Sequence, residues 1–197
     1  KVAKSDAAAG FLDLPEPDSK AMFDRVQADT RPRGLVPLCH TDADWAAPKS
    51  QSGYYYGIYG SGGTSVPIAW GSKKQSITAD SSGMSEFIAA HFAVRTVLPL
   101  HDGFFSTARS PRPLNLMADN STVLRISRTG LSQQLAVLAV KPMAVRMGLL
   151  KDLRDLGVVR VVHVRTDENM ADALTKALEQ TKLEIACAMF GLVDTRS

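Results

Sequence analysis

Cysteine is scarce in this 197-residue sequence, which holds only Cys39 and Cys187. The two stand far apart, match no zinc-ligand spacing and sit in apolar stretches. That argues against a disulfide framework or a zinc cluster and reads them as reduced core residues. Long apolar runs are also missing: none approaches a membrane span, and no secretory pattern opens the chain. Charge of one sign is missing too, since 23 Lys and Arg face 20 Asp and Glu for a formal +3. Net charge therefore identifies no partner, and any phosphate-binding surface must come from local clustering. What remains is ordinary for a globular protein, with 45% apolar and 22% charged residues and a length suited to one domain with a short appendage. The first residue is Lys1 rather than Met, and the chain is expected to be a piece of something longer.

Residues 1–34 read as a tail or connector, with loop signals at Ala7–Gly10 and Pro15–Asp18 and a short helix over Ser19–Val26. A domain is expected over 35–192, and 193–197 as a terminal tail. Leu35–Thr41 is strand-like and runs into Asp42-Ala43-Asp44-Trp45; Gly53–Tyr59 and Ser65–Trp70 follow around Gly60-Ser61-Gly62-Gly63. These three predict an antiparallel meander. Ser81 and Ser82 offer caps for a helix to about Leu98, which Pro99 and Gly103 should end. A strand over Leu114–Ala118 precedes helices over Ser121–Arg128 and about Leu131–Leu156, the second interrupted near Pro142. Val158–Val164 is nearly all β-branched, which suits a strand buried on both faces. Helices over Asn169–Gln180 and Lys182–Phe190 complete a mixed sheet with helices packed on it.

The acids fall at telling places in that order. Asp42 ends the first strand, Glu86 lies near the start of the first long helix, Asp119 ends the fourth strand and Asp172 opens the helix after the fifth. If the first and fourth strands are neighbours, Asp42 and Asp119 meet at one sheet edge, and helix starts can bring Glu86 and Asp172 there. Met170, Ala173, Leu174, Ala177 and Leu178 form an apolar stripe at helical spacing. Asp172 would lie about 190 degrees from its centre, free to face a cleft. The plainer reading pairs Asp172 with Lys176 at i+4 on a solvated surface. Four clustered carboxylates repel one another, and their desolvation is costly unless divalent cations neutralise them. Oxygen ligands of this kind favour magnesium or manganese over zinc. Two such ions about 4 Å apart can activate a water and stabilise a leaving oxygen.

Six motifs in order carry a family resemblance. Thr41-Asp42-Ala43-Asp44-Trp45-Ala46, Lys49-Ser50-Gln51-Ser52-Gly53-Tyr54 and Ile68-Ala69-Trp70-Gly71-Ser72-Lys73-Lys74-Gln75 come first. Ser81-Ser82-Gly83-Met84-Ser85-Glu86-Phe87, Asp119-Asn120-Ser121 and Ala171-Asp172-Ala173-Leu174-Thr175-Lys176 follow. Together they resemble the ribonuclease H domain of copia-type LTR retrotransposons, part of a reverse transcriptase polyprotein. The resemblance spans about Leu35 to Leu192. It implies an α/β fold with a five-stranded mixed sheet, three strands antiparallel and two parallel, and helices on both faces. It also implies two-metal hydrolysis of the RNA strand of an RNA/DNA hybrid, with Mg2+ or substituting Mn2+ held by Asp42, Glu86, Asp119 and Asp172. Asp44 reads as structural. A reverse transcriptase domain in the same polyprotein is the implied partner, with no membrane. The implied location is cytoplasmic, in a virus-like particle, or nuclear, and not secreted.

The chain departs from the family at Lys141-Pro142-Met143-Ala144-Val145-Arg146-Met147-Gly148, where two histidines and an aspartate are replaced, and at Met84, which replaces a glutamate. These changes spare the four acids. They leave open a second reading, a decayed or repurposed module that binds nucleic acid or a protein partner. A nuclease of the same broad fold acting on duplex DNA is a third, which the motif order opposes. Many ribonucleases H carry a histidine before the last helix, whereas Arg165–Glu168 has none. His40, His91, His101 and His163 read as packing or surface residues. Lys73, Lys74, Arg125, Arg128, Lys141 and Arg146 are candidates for phosphate contact, against a plain reading as solvated charges. Asn120 either shapes a turn or touches substrate. Trp45, Trp70 and Tyr54–Tyr56 either stack on nucleotides or serve as core and cross-strand aromatics.

Overall fold

A computed structural model describes residues 35–60, 65–105, 112–132 and 141–192. The expected connector over 1–34, the tail over 193–197 and most of the turn over 60–63 lie outside the described residues. Five strands are described: β1 Leu35–Asp44, β2 Gln51–Gly60, β3 Ser65–Lys74, β4 Leu114–Ala118 and β5 Val159–His163. Four α-helices accompany them: α1 Ser82–Phe105, α2 Ser121–Thr129, α3 Lys141–Asp155 and α4 Gln180–Met189. The sheet order is β3-β2-β1-β4-β5. The meander β1–β2–β3 is antiparallel, and β4 and β5 add in parallel. The five-stranded mixed sheet expected from the sequence is present.

Side chains alternate across the strands, so each face of the sheet has its own apolar set. Cys39, Tyr54, Tyr56, Leu114 and Leu116 face α1, α2 and α3, which supply Phe87, Ala93, Val97, Val123, Ile126, Met143, Met147 and Leu150. The last three lie at helical spacing along α3. Val36, Leu38, Met117, Val162 and Val164 form the smaller cluster on the other face. That face is covered by a 3-10 turn, Met170–Leu174, and by the end of α4, where Phe190 stacks on Tyr55 at 4.9 Å between ring centroids.

Three expectations need correction. The first helix does not end at Leu98 but carries Pro99 inside and runs to Phe105. The turn beyond the proline is anchored by buried His101, which bonds the Tyr56 hydroxyl at 3.2 Å and the Arg112 carbonyl at 2.7 Å. The interruption expected near Pro142 falls at the start of α3, with Pro142 in its first turn, where a missing N–H leaves no intrahelical bond broken; residues 133–140 are outside the described residues. β5 is an edge strand, with Val159 and Val162 buried and the rest half-buried. The helix expected over Asn169–Gln180 is instead a single 3-10 turn, Met170–Leu174, and an irregular stretch before α4. Tertiary bonds override its periodicity: Asn169 Nδ2 donates to the Thr41 carbonyl at 3.0 Å, and the Met170 N–H donates to His40 Nδ1 at 3.3 Å. Ala177, counted in the apolar stripe, is exposed.

Candidate active site

The parallel pairing of β1 with β4 places Thr41 beside Ala118, so Asp42 and Asp119 follow side by side at the carboxyl ends of these strands. Glu86 comes from the start of α1, which Ser81 caps by accepting the Met84 N–H at 3.2 Å. Gly83 allows this helix to reach the β4–α2 corner, since a Cβ there would meet Thr122 Oγ1 at 2.7 Å. The ligand atoms of Asp42, Glu86 and Asp119 lie within 4.8 Å of one another. Asp172, the fourth expected acid, stands outside that group. It sits on the 3-10 turn, half-buried, with Oδ1 ion-paired to Lys176 Nζ. The plain i+4 reading of Asp172 and Lys176 is thus present, but on a turn rather than a helix.

Gly53 brings that turn to the cluster. A Cβ at Gly53 would meet Thr175 Cγ2 at 2.8 Å and the Ala171 carbonyl at 3.0 Å, so only glycine lets the turn lie flat on β2. Thr175 then donates its hydroxyl to Asp42 Oδ2, a bond the sequence alone does not announce. Its signal was present, because Thr175 and Lys176 belong to the last motif.

Burial, first, and the charges of Asp42 and Asp119 push Glu86 up to about 9, against a hydrogen bond from the Ala43 backbone. Burial likewise raises Asp42, opposed by the Thr175 hydroxyl, and Asp119 and Asp172 raise it further. Glu86 Oε2 is buried without a hydrogen-bond partner among the described residues. An orphaned carboxylate oxygen facing two more carboxylates fits a hard divalent cation, which would replace mutual repulsion with coordination. The donor set holds no sulfur or nitrogen, which fits magnesium or manganese rather than zinc.

The basic candidates separate into two groups. Lys73, Lys74 and Arg146 line a cavity of about 350 Å³ between the end of β3, α1 and α3. His91 and Arg95 of α1 line it as well, and neither was singled out for phosphate. Lys73 Nζ lies 5.6 Å from the Phe92 ring centroid. A neighbouring cavity of about 460 Å³ shares His91, Arg95 and Arg146. Burial and these two arginines hold His91 down at about 4, so it is neutral beside them. Arg125 and Arg128 are exposed on α2 and line neither cavity; the side chain of Lys141 is outside the described residues. Asn120 caps α2, its Oδ1 accepting the Thr122 N–H at 2.8 Å, which is the turn-shaping role.

Tyr54, Tyr55 and Tyr56 are buried as core aromatics, but Trp45 and Trp70 are 55% and 57% exposed. Trp70 nevertheless sits opposite Tyr55 in register, and Trp45 Nε1 donates to the Ala79 carbonyl at 3.1 Å. Cys39 and Cys187 are free thiols.

No family model matches the chain. It is 27% identical over 157 residues to the retrovirus-related Pol polyprotein from transposon TNT 1-94 of Nicotiana tabacum, covering 78% of this chain and 11% of that protein. It is also 27% identical over 160 residues to the corresponding polyprotein from transposon RE1 of Arabidopsis thaliana, covering 78% of this chain and 10% of that protein. The chain thus spans about a tenth of the length of the curated relatives it matches. Among solved structures, RNase H1 from the halophilic archaeon Halobacterium salinarum NRC-1 superposes with a TM-score of 0.46 at 18% identity, covering 70% of this chain and 92% of that one. The prototype foamy virus protease–reverse transcriptase gives 0.48 at 14% identity, covering 80% of this chain and 20% of that one. The Pol relatives bear out the resemblance read from the motifs, and the strand directions match the five-stranded mixed sheet that the resemblance implied.

Proposed function

We propose that this ribonuclease H-like chain, akin to the copia-type retrotransposon domains, is a metal-dependent endoribonuclease that hydrolyses the RNA strand of RNA/DNA hybrids during reverse transcription. One observation carries the reading: Asp42, Glu86 and Asp119 converge from β1, α1 and the end of β4 to within 4.8 Å. Repulsion in such a group has no structural benefit, and a cation-binding role explains why it is kept.

Asp42, Glu86, Asp119 and Asp172 would hold the divalent cations. When bound, paired Mg2+ or Mn2+ ions supply an activated water and stabilise charge on the phosphodiester. The chain's own residues do the positioning. Thr175 fixes Asp42 by donating to Oδ2, and the Ala43 backbone bonds Glu86. Lys73, Lys74, Arg95 and Arg146 offer positive charge along one groove, where phosphate contacts set register without reading sequence. A hybrid's partly A-form shape and 2′-hydroxyls then provide the distinction from duplex DNA. The departures at 141–148 do not touch the acids: Met143 and Met147 of that stretch fill the core under α3.

The test is cleavage of a labelled RNA/DNA hybrid in Mg2+ by the protein and by Asp119→Asn. Wild type is expected to cut the RNA strand, and the variant to lose at least roughly 100-fold, the upper end of what losing even a residue behind a metal ligand costs. Equal cleavage by both would reject the site. Hybrid binding without any cleavage would favour the non-catalytic module instead.

A further inference from the structure

Lys176 stands where the acidic cluster is incomplete. Its ammonium is paired with Asp172 Oδ1, and Asp172 is the one expected ligand outside the three-carboxylate group. Thr175 beside it donates its hydroxyl to Asp42, and its backbone N–H donates to the Asp172 carbonyl at 3.3 Å, which pins the turn onto the cluster. The ammonium feels Asp42 and Asp119 as well as Asp172, and it in turn lowers Asp42 and Glu86. Both partners of the pair are partly exposed, at 44% and 28% of their side-chain surface. A long, solvated lysine of this kind exchanges partners readily.

We infer that Lys176 is a built-in counter-ion that keeps Asp172 out of the metal-binding group in the free protein. One divalent cation then binds before substrate, and a second enters when the ammonium lets Asp172 go. The inference rests on the metal-binding reading above. Charge balance gives the reason. Once an arriving cation has displaced the Glu86 proton, four ionised carboxylates and one ammonium carry three negative charges, and that first divalent cation leaves one. A second cation over a retained ammonium makes the site positive, until an incoming phosphodiester adds its own negative charge. That phosphate also gives the ammonium a new partner in exchange for Asp172. Lys176 is on this account a positioning residue, acting through Asp172.

The experiment is calorimetric titration of the full chain with MnCl2, without nucleic acid, for wild type, Lys176→Met, Lys176→Arg and Asp119→Asn. Wild type is expected to take one ion per chain. Lys176→Met should take two, or bind the second about tenfold more tightly or better, because a unit charge at ion-pair distance is gone. Lys176→Arg keeps the charge and should behave as wild type, which separates the charge from any effect of the substitution on folding. Two ions in wild type, or identical titrations for wild type and Lys176→Met, would overturn the inference. If one ion binds to wild type and is lost in Asp119→Asn while Lys176→Met changes nothing, only the Lys176 assignment falls. If wild type binds no ion, the metal-binding reading falls with it.

Discussion

Glu86 carries the heaviest electrostatic load of any carboxyl in the site, pushed from an ordinary 4.5 up to about 9 by burial and by Asp42 and Asp119. A carboxyl raised on folding takes up a proton that the unfolded chain has released. Between those two values the folded state therefore holds more protons, and stability falls as pH climbs through the window. Metal-free protein is accordingly expected to lose melting temperature from about pH 5 to 9, and Glu86→Gln to flatten that slope; thermal unfolding in EDTA across the range checks it. An equal slope in both proteins would assign the pH dependence elsewhere. At this scale the sequence was informative about Asp42, Glu86 and Asp119, because strand ends and helix starts are local signals. It was silent on Thr175 as the partner of Asp42, because that bond joins residues far apart in the chain. The exposure of Trp70 was hidden for a similar reason: it depends on β3 forming the sheet edge.

Among the elements, the strand pattern was legible and the last helical segment was not. The apolar run of β1 and the tyrosines of β2 mark strands by their own residues, whereas the Met170–Leu174 turn is bent out of helical period by bonds to Thr41 and His40. α1 exceeded its expected length for the same reason, since His101 secures the stretch beyond Pro99 through Tyr56 and Arg112. Gly53 decides whether the turn can reach β2 at all. Gly53→Ala places a Cβ against Thr175 and the Ala171 backbone, an overpacking expected to cost about 1–3 kcal/mol. Urea denaturation measures the loss, and Mn2+ titration should show weaker binding in parallel, because the turn carries both Asp172 and Thr175. Unchanged stability and binding would mean that the turn is not seated by this approach of β2.

For the molecule as a whole, the basic groove is the feature that no single segment announces. Lys73 and Lys74 end β3, Arg95 is midway along α1 and Arg146 belongs to α3; Arg95 escaped notice in the sequence because only packing aligns it with the other three. Replacing Lys73, Lys74, Arg95 and Arg146 with alanine is expected to weaken hybrid binding. It should also flatten the plot of log affinity against log salt by roughly 0.7–0.9 for each phosphate that the variant no longer neutralises. Fluorescence anisotropy at several salt concentrations measures both. The pair Arg125→Ala and Arg128→Ala, outside the groove, should leave the slope as it is, and a matching drop there would shift the interface toward α2.

The acids themselves come from β1, α1, the end of β4 and a turn near the close of the described chain. No stretch of contiguous sequence holds a working set. A ribosome-bound chain therefore has no complete acidic pocket until translation has passed Thr175, so whatever these carboxylates bind together can be bound only after the rest of the fold has been made.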